Sequence, residues 1–465
     1  MAPPNAVKDY LDSQKLPYRL VSYPSKGTLQ QITEAISIPS SRLIRAVLLR
    51  DEQGYLMAIL PSNHILDFSL LRQLLARDFH PLYGDELTGL FGGCQPGSRP
   101  PLPDLFGLSA VIEQTLATLE GEVYFDAGSH DTLICMSSVD CWTLLKETPW
   151  GHFSVPLDSL DLLQKMATTT ADFMEVTSNY VPRQLRDVFR ELPALPKAAR
   201  HILELRAKTK VGQAGGLADC IRDCPELTTA MIHYAGSPLY TRQANNSVYS
   251  VEEAIAVLGI DVAAGLGFAS SLGRTFTIPP DGPLGRRAFW RHAVYCATLV
   301  RELVRSLPDT LYLQPGLVYW SGLLHKFGYL VLAQLFPAQF FLLNHFLSAN
   351  HHIPAEQLED YLLGTDHSQI GAWLMRAWNM PREFTAAIRW HKLEDYSQPY
   401  AEYANLILIA NRLLYSLGIG DAGTDRLPVA IMSSLGLDKE QVLAAFARVE
   451  NSHRELEEMA KALAA

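Results

Sequence analysis

About a third of the way along the chain the pattern of apolar and polar positions changes character. Up to residue 155 two periods alternate. Residues 6–14 and 30–36 repeat apolar positions at helical spacing. Residues 43–49 and 55–60 are β-rich apolar runs split by Asp51-Glu52-Gln53-Gly54, which predicts a hairpin. A Gly/Pro-dense stretch, 92–107, leads to two more strand-like runs, 122–125 and 132–136. From Leu157 the pattern turns helical. Leu157, Leu160 and Leu163 predict a connecting helix over 157–165, and the polar residues from Thr168 mark a linker. Beyond Leu192 the chain predicts helices over 197–208, 217–223, 226–235, 251–258, 290–306, 318–335, 368–378 and 401–416, and strand signals vanish. The tail, 439–464, is amphipathic, the pattern of a segment that packs on its own domain.

The expected architecture is therefore multidomain α/β plus all-α. A mixed α/β domain covers 1–155, a helical linker 156–190, a helical domain 191–395, and C-terminal helices over 396–465 complete the bundle. The length of 465 residues, at roughly 100–200 per domain, agrees with several units. With 48% hydrophobic and 19% charged residues the chain has the mass for several cores. The net charge of −10 disfavours general attraction to phosphate backbones. The six cysteines form no C-x-x-C pair, so neither a zinc ribbon nor an oxidising compartment is implied. The first residues lack the basic start and apolar core of a secretory signal, and the apolar region 311–347 is broken by His325, Lys326, Pro337 and Gln339. The expectation is a cytoplasmic protein with no membrane contact.

Four histidines, His292, His325, His367 and His391, fall on or at the ends of predicted helices. Alone, each reads as a packed histidine or as a ligand. Their surroundings, LPALPKAARHILEL, CPELTTAMIHYAGSPLY, SVEEAIAVLGIDVAAGLGFAS, FWRHAV, GLLHKFGYLVL, DHSQIGAWLMRAWNMP and AAIRWH, occur in one order over about 191–395 and resemble the HDOD family. That resemblance implies an all-helical relative of the HD phosphohydrolases that has lost their metal chemistry, a bacterial signal-transduction module that binds a protein partner. The position after the second histidine, an Asp in catalytic HD proteins, is Lys326, and Asn411 stands where a later metal-binding Asp would fall. Lysine beside a divalent ion opposes its binding. The expectation is a vestigial cluster of His292, His325, Asp366, His367 and His391 with no metal and no cofactor, zinc being the ion that carboxylate-poor imidazoles would suit. Asp366 is the expected partner of Lys326.

The first third, about 3–150, resembles the YbaK and prolyl-tRNA-synthetase editing domain family in 32–63, 92–102 and 123–137. The family's lysine slot matches Arg45, which keeps the charge but not the compact ammonium. The resemblance places pocket residues at Arg45, Gly93, Pro96, Gly97, Gly128 and His130, with Arg42, Arg50 and Arg99 adding local positive charge around Arg45 for a tRNA end or an aminoacyl ligand. Two readings follow. In the first the chain is a non-enzymatic signalling or scaffold protein, its editing-like domain sensing a small aminoacyl-type ligand. In the alternative it is an aminoacyl-tRNA deacylase acting through 1–150.

Overall fold

The computed structural model describes residues 5–23, 32–33, 35–82, 89–95, 98–157, 193–208, 215–240, 248–276, 278–308, 311, 313–351 and 353–465. It divides into two compact units: residues 1–178 with 345–361, and residues 179–344 with 362–465. Residues 158–165 of the expected linker helix, and Gln30, Gln31 and Glu34 of the helix expected over 30–36, lie outside the described residues.

The first unit is built on β1 (Tyr18–Ser22), β2 (Leu43–Asp51), β3 (Gly54–Pro61), β4 (His64–Leu66), β5 (His80–Pro81), β6 (Ser109–Glu113), β7 (Glu122–Ser129), β8 (Thr132–Ser137), β9 (Trp150–Gly151) and β10 (Ser154–Pro156). The helices α1 (Asn5–Gln14), α2 (Phe68–Leu75), α3 (Pro103–Phe106) and α4 (Ser138–Leu144) accompany them. The main sheet runs β1-β8-β7-β2-β3-β6-β9, with β5 also pairing to β2, while β10 and β4 form a separate antiparallel ladder. The β2–β3 hairpin turns where the sequence predicts, its Asp51 Oδ1 accepting the Gln53 N–H at 2.9 Å. Strand β2 is buried on both faces. Ile44, Ala46 and Leu48 join one apolar cluster with Met57, Ile59 and Phe125, whereas Val47 and Leu49 join another with Leu60, Leu66, Phe153 and Ala349. Period-2 alternation places Arg45 on the second face.

The second unit is helical: α5 (Lys197–Lys208), α6 (Gly215–Arg222), α7 (Pro225–Ala235), α8 (Val251–Leu258), α9 (Ile260–Gly273), α10 (Arg286–Val304), α11 (Pro315–Leu324), α12 (Gly328–Leu335), α13 (Pro337–Ala349), α14 (Ala355–Leu363), α15 (His367–Ala377), α16 (Arg382–Trp390), α17 (Ala401–Tyr415), α18 (Val429–Ser434), α19 (Lys439–Glu450) and α20 (His453–Ala464). The last turn of α13 and nearly all of α14 belong to the first unit. No strand lies beyond residue 200 among the described residues. Helix α10 is buried along most of its length and packs on α11, α17, α19 and α20. Buried Glu302 ties α10 to α19 by accepting from Arg305 at 2.6 Å and Arg448 at 2.8 Å.

The single helix expected over 318–335 is two helices, α11 and α12, separated by His325, Lys326 and Phe327. A Cβ on Gly328 would stand 1.9 Å from the His367 carbonyl, so only glycine permits α12 to meet α15 this closely. Among the described residues no single helix is long and apolar enough to cross a membrane; α8 and α9 pass only as a pair bent by 118°.

Candidate functional site

The break between α11 and α12 delivers His325 and Lys326 to a buried cluster. His292 comes from α10, His367 from the first position of α15, His391 from just past α16 and Asn411 from α17; all are buried. Ring centroids lie 5.1 Å apart for His292 and His325, 4.9 Å for His325 and His391, and 5.7 Å for His367 and His391. The sequence-predicted histidines therefore converge.

Hydrogen bonds fix three tautomers. His325 Nδ1 is 2.8 Å from the Gly322 carbonyl and His391 Nδ1 is 2.8 Å from the Ile388 carbonyl. A carbonyl only accepts, so both Nδ1 atoms carry the proton and both Nε2 atoms are lone pairs. Asn411 Nδ2 donates to His325 Nε2 at 3.4 Å, and Asn411 Oδ1 accepts from His292 Nε2 at 3.0 Å. An amide fits between the two imidazoles because it supplies one donor and one acceptor; an ionised carboxylate supplies acceptors only. His391 Nε2 is buried without a partner among the described residues.

Burial, reinforced by the Lys326 charge, holds His292 well below the usual histidine range and His325 down at about 3. Burial also pushes His367 and His391 far down, with Lys392 adding to the shift of both. The cluster is thus a set of neutral rings. Tyr329 stacks on His367 at 4.0 Å.

The anionic partner of Lys326 is Asp421, not Asp366. The Lys326 ammonium pairs with Asp421 Oδ1, and Tyr329 donates to Asp421 Oδ2 at 3.4 Å. Burial alone would raise Asp421, but the Lys326 charge holds it far below the carboxylate range. Asp366 instead caps α15, accepting the Gln369 N–H at 2.8 Å, and faces Arg389 at 3.6 Å. Against its own burial, Lys392 and Arg389 draw it down to about 2. The helix start at His367 claims Asp366 for its first turn, which is why it cannot also serve Lys326.

This arrangement does not fit a catalytic divalent ion. A fixed ammonium stands in the cluster, the His292 and His325 nitrogens are engaged by Asn411, and among the described residues no group of three or more His, Cys, Asp or Glu side chains is placed to hold a metal.

Asp421 is reached through Gly418-Ile419-Gly420, a turn with φ of +69° and +90° at its glycines. A Cβ on Gly420 would lie 2.8 Å from His292 Nε2, whereas one on Gly418 would meet nothing within 4 Å. Gly420→Ala is expected to cost about 1–3 kcal/mol, from backbone strain and displacement of the His292 ring. Gly418→Ala carries the strain alone. Urea unfolding of both variants separates the two terms, and equal losses would show that the ring contact contributes nothing.

In the first unit the candidate pocket residues are brought together only in part. The Gln95 N–H donates to the Gly128 carbonyl at 2.9 Å, and the His130 N–H donates to Gln95 Oε1 at 2.7 Å, so Gly128 and His130 are stitched to the loop that carries Gly93. Gly93 and His130 are exposed, and Pro96 and Gly97 lie outside the described residues. Asp126, which the sequence reading passed over, organises the neighbouring turn by accepting from the Ser98 hydroxyl and from the N–H groups of Arg99 at 2.6 Å and Gly128 at 2.7 Å.

Arg45 does not line an open pocket with them. It is 7% exposed; its guanidinium donates to the Ala349 carbonyl at 2.7 Å, Asn350 Oδ1 at 2.8 Å and the His64 carbonyl at 3.1 Å. Ala349 ends α13, where a cation complements the unpaired carbonyls. Burial, with the Arg99 charge adding, lowers Arg45 to about 9. The expected basic pocket is also dispersed: Arg42 donates to the Glu122 carbonyl at 2.9 Å, and exposed Arg50 projects from β2 on the face opposite Arg45.

The HDOD domain family matches residues 192–393, and the aminoacyl-tRNA editing domain family matches 24–144. A protein of Marinobacter aquaeolei VT8, provisionally described as a signal transduction protein, is 30% identical, is covered over its full length and covers all of this chain, with a TM-score of 0.77. The chain belongs to the HDOD family. This HDOD protein is also 23% identical over 277 residues to an uncharacterized protein of Treponema pallidum (strain Nichols), 59% of this chain but 52% of that one, so the chain spans about half the length of that curated relative. An HDOD domain protein of unknown function from Geobacter sulfurreducens, 23% identical with a TM-score of 0.47, covers 60% of this chain and is itself covered over 97%. The HDOD match contains His292, His325, Lys326, Asp366, His367 and His391 and ends before Asn411 and Asp421, both of which complete the cluster.

Proposed function

We propose that this HDOD protein is a non-enzymatic bacterial signalling or scaffold protein of the cytoplasm, in which the helical domain binds a signalling protein partner and the editing-like domain senses a small aminoacyl-type ligand. The observation that carries this reading is the Lys326–Asp421 pair inside the histidine cluster. A phosphohydrolase needs anionic ligands to assemble the ions that activate water; here the cluster's fixed cation is a lysine already paired with the chain's own carboxylate. The commitment of the Arg45 guanidinium to Ala349, Asn350 and His64 supports the same reading for the editing-like domain.

Two measurements test it. The intact chain, isolated without chelator, is expected to carry no stoichiometric manganese, iron or magnesium and to leave phosphodiesters and cyclic dinucleotides uncleaved. It is also expected to leave a panel of mischarged tRNAs acylated. Rapid deacylation that disappears in Arg45→Ala would replace this reading with the deacylase, and metal-dependent phosphodiester cleavage would overturn it for the helical domain. Co-purification from the native cell with mass spectrometry then addresses the partner.

A further inference from the structure

Two guanidiniums of the first unit lie close together without an ion pair among the described residues. Among the described residues the acceptors of Arg45 are two carbonyl oxygens and one amide oxygen, all neutral, and its Nε is buried with no partner. Arg99 is brought towards Arg45 by the sheet: Ile44 pairs with Phe125 across β2 and β7, and the next residues along are Arg45 and Asp126. The Asp126 carboxylate accepts the Arg99 N–H at 2.6 Å, so that the Arg99 charge acts on Arg45; the Arg99 Nε is also buried with no partner among the described residues. The carboxylate within reach of Arg99 is Asp126, but its oxygens are taken by the Ser98 hydroxyl and the N–H groups of Arg99 and Gly128. A buried cation held only by neutral acceptors is poorly compensated, because hydrogen bonds between ionised partners are roughly twice as strong as neutral ones.

The neutral acceptors come from a segment remote in sequence, residues 345–361, which belongs to this unit. Ala349 packs in the apolar cluster with Val47, Leu49 and Leu66. The Asn350 side-chain amide pairs with the Leu66 peptide as a neighbouring strand would, accepting its N–H at 2.8 Å and donating to its carbonyl at 3.3 Å. His351, the next residue, sits in the field of both arginines. Tyr361 closes the segment by donating to Asp67 Oδ2 at 2.6 Å.

We propose that Arg45 and Arg99 form an oxyanion-binding site for which the 345–361 segment is the internal competitor, so that a ligand carrying a carboxylate or a phosphate displaces Asn350 and frees that segment. The proposal rests on the sensing role given above to the editing-like domain and adds to it the ligand's chemistry and the way in which binding is reported. The two occupants differ in what they offer. The segment supplies neutral acceptors together with the burial of Ala349 and Phe346; an oxyanion supplies charge-assisted, bidentate bonds to planar guanidinium forks. A ligand shifts such an equilibrium only by its differential affinity for the two states, and that difference is located here in Arg45 and Arg99.

Hydrogen–deuterium exchange on the intact chain tests this, with titrations of inorganic phosphate, adenosine 5′-monophosphate and glycine, each against sodium chloride of equal ionic strength. Peptides covering 345–351 and 64–66 are expected to exchange faster by about tenfold, saturably, with at least one oxyanion and not with chloride. A response to glycine alone assigns a carboxylate source; a response to phosphate and the nucleotide assigns a phosphate source. Arg99→Gln should abolish the response while the segment stays protected in ligand-free protein. Asn350→Ser, which weakens the competitor, should tighten probe binding by about tenfold. No acceleration with any probe, a response that survives Arg99→Gln, or weaker binding in Asn350→Ser would each overturn the proposal. If calorimetry shows that a probe or a non-hydrolysable aminoacyl-adenosine binds without releasing 345–361, the competitor idea fails and the sensing reading stands. Absence of all binding removes both.

Discussion

Acidification from pH 7 is expected to unfold the helical unit steeply, with its stability lost within about 1–2 pH units below 6.5. His292, His325, His367 and His391 are all held far below their ordinary value of 6.5 by burial first, with the Lys326 charge second at His292 and His325 and the Lys392 charge second at His367. In the unfolded chain these rings take up protons near pH 6.5, while in the folded unit they do not, His325 waiting until about pH 3. The unfolded state therefore binds more protons throughout this window, and stability falls as pH falls. Each ring contributes about 1.4 kcal/mol per pH unit once the unfolded form is protonated, so four together approach about 5 kcal/mol per unit. A domain stable by about 5–15 kcal/mol cannot sustain that slope for long. Asp421 and Asp366, both depressed, add further loss of stability in the same direction, but only below the ordinary carboxylate value of 3.8. Thermal unfolding followed by far-ultraviolet circular dichroism from pH 7.5 to 4.5 checks this. A melting temperature of the helical unit that stays level from pH 7 to 5 would mean that the rings accept protons in place.

Much of this cluster was legible in the sequence because its histidines stand in ordered motifs, and so was the β2–β3 hairpin, because Asp51 and Gly54 supply the turn chemistry that two apolar runs require. What escaped did so for physical reasons. Every residue of α11 after Pro315 is buried, so its sequence carries no polar face by which the end of a helix could be read, and the break at His325–Phe327 was invisible. Helix α9 is buried nearly all round and glycine-containing, which hides helical periodicity in the same way. Asp421 lies 95 residues from Lys326 on a glycine turn, where an acidic residue reads as surface. The adjacent Asp366 offered a nearer partner, and local proximity was the wrong guide because a helix start had the prior claim on it. The placement of 345–361 in the first unit was also beyond the reach of local pattern. Asn350 stands close behind an apolar helix among several other polar residues, and nothing in that spacing names Leu66 or Arg45 as its partners.

Removing one member of the Lys326–Asp421 pair is expected to cost about 3–5 kcal/mol, whereas replacing both with apolar residues should recover most of the loss. The Lys326 side chain is 9% exposed and that of Asp421 26%, so neither charge retains much water when its partner leaves. In Asp421→Leu the ammonium is left beside neutral histidine rings, none of which can offset its charge. In Lys326→Met the carboxylate keeps, among the described residues, the Tyr329 hydroxyl at 3.4 Å and stands near the neutral His367 and His292 rings. The double variant removes both desolvation costs and leaves the bond that His292 donates to Asn411 in place. The pH slope discriminates further. Lys326 lies behind burial among the causes that depress His292 and His325, so in Lys326→Met and in the double variant those rings should accept protons more readily and the loss of stability on acidification should be shallower. Urea unfolding of the two single variants and the double variant at pH 7.5 and pH 6 completes the cycle. Single losses under about 1 kcal/mol would place the pair in effective contact with solvent, and a double variant no more stable than either single one would show that the pair is required to shape the cluster and does more than neutralise itself.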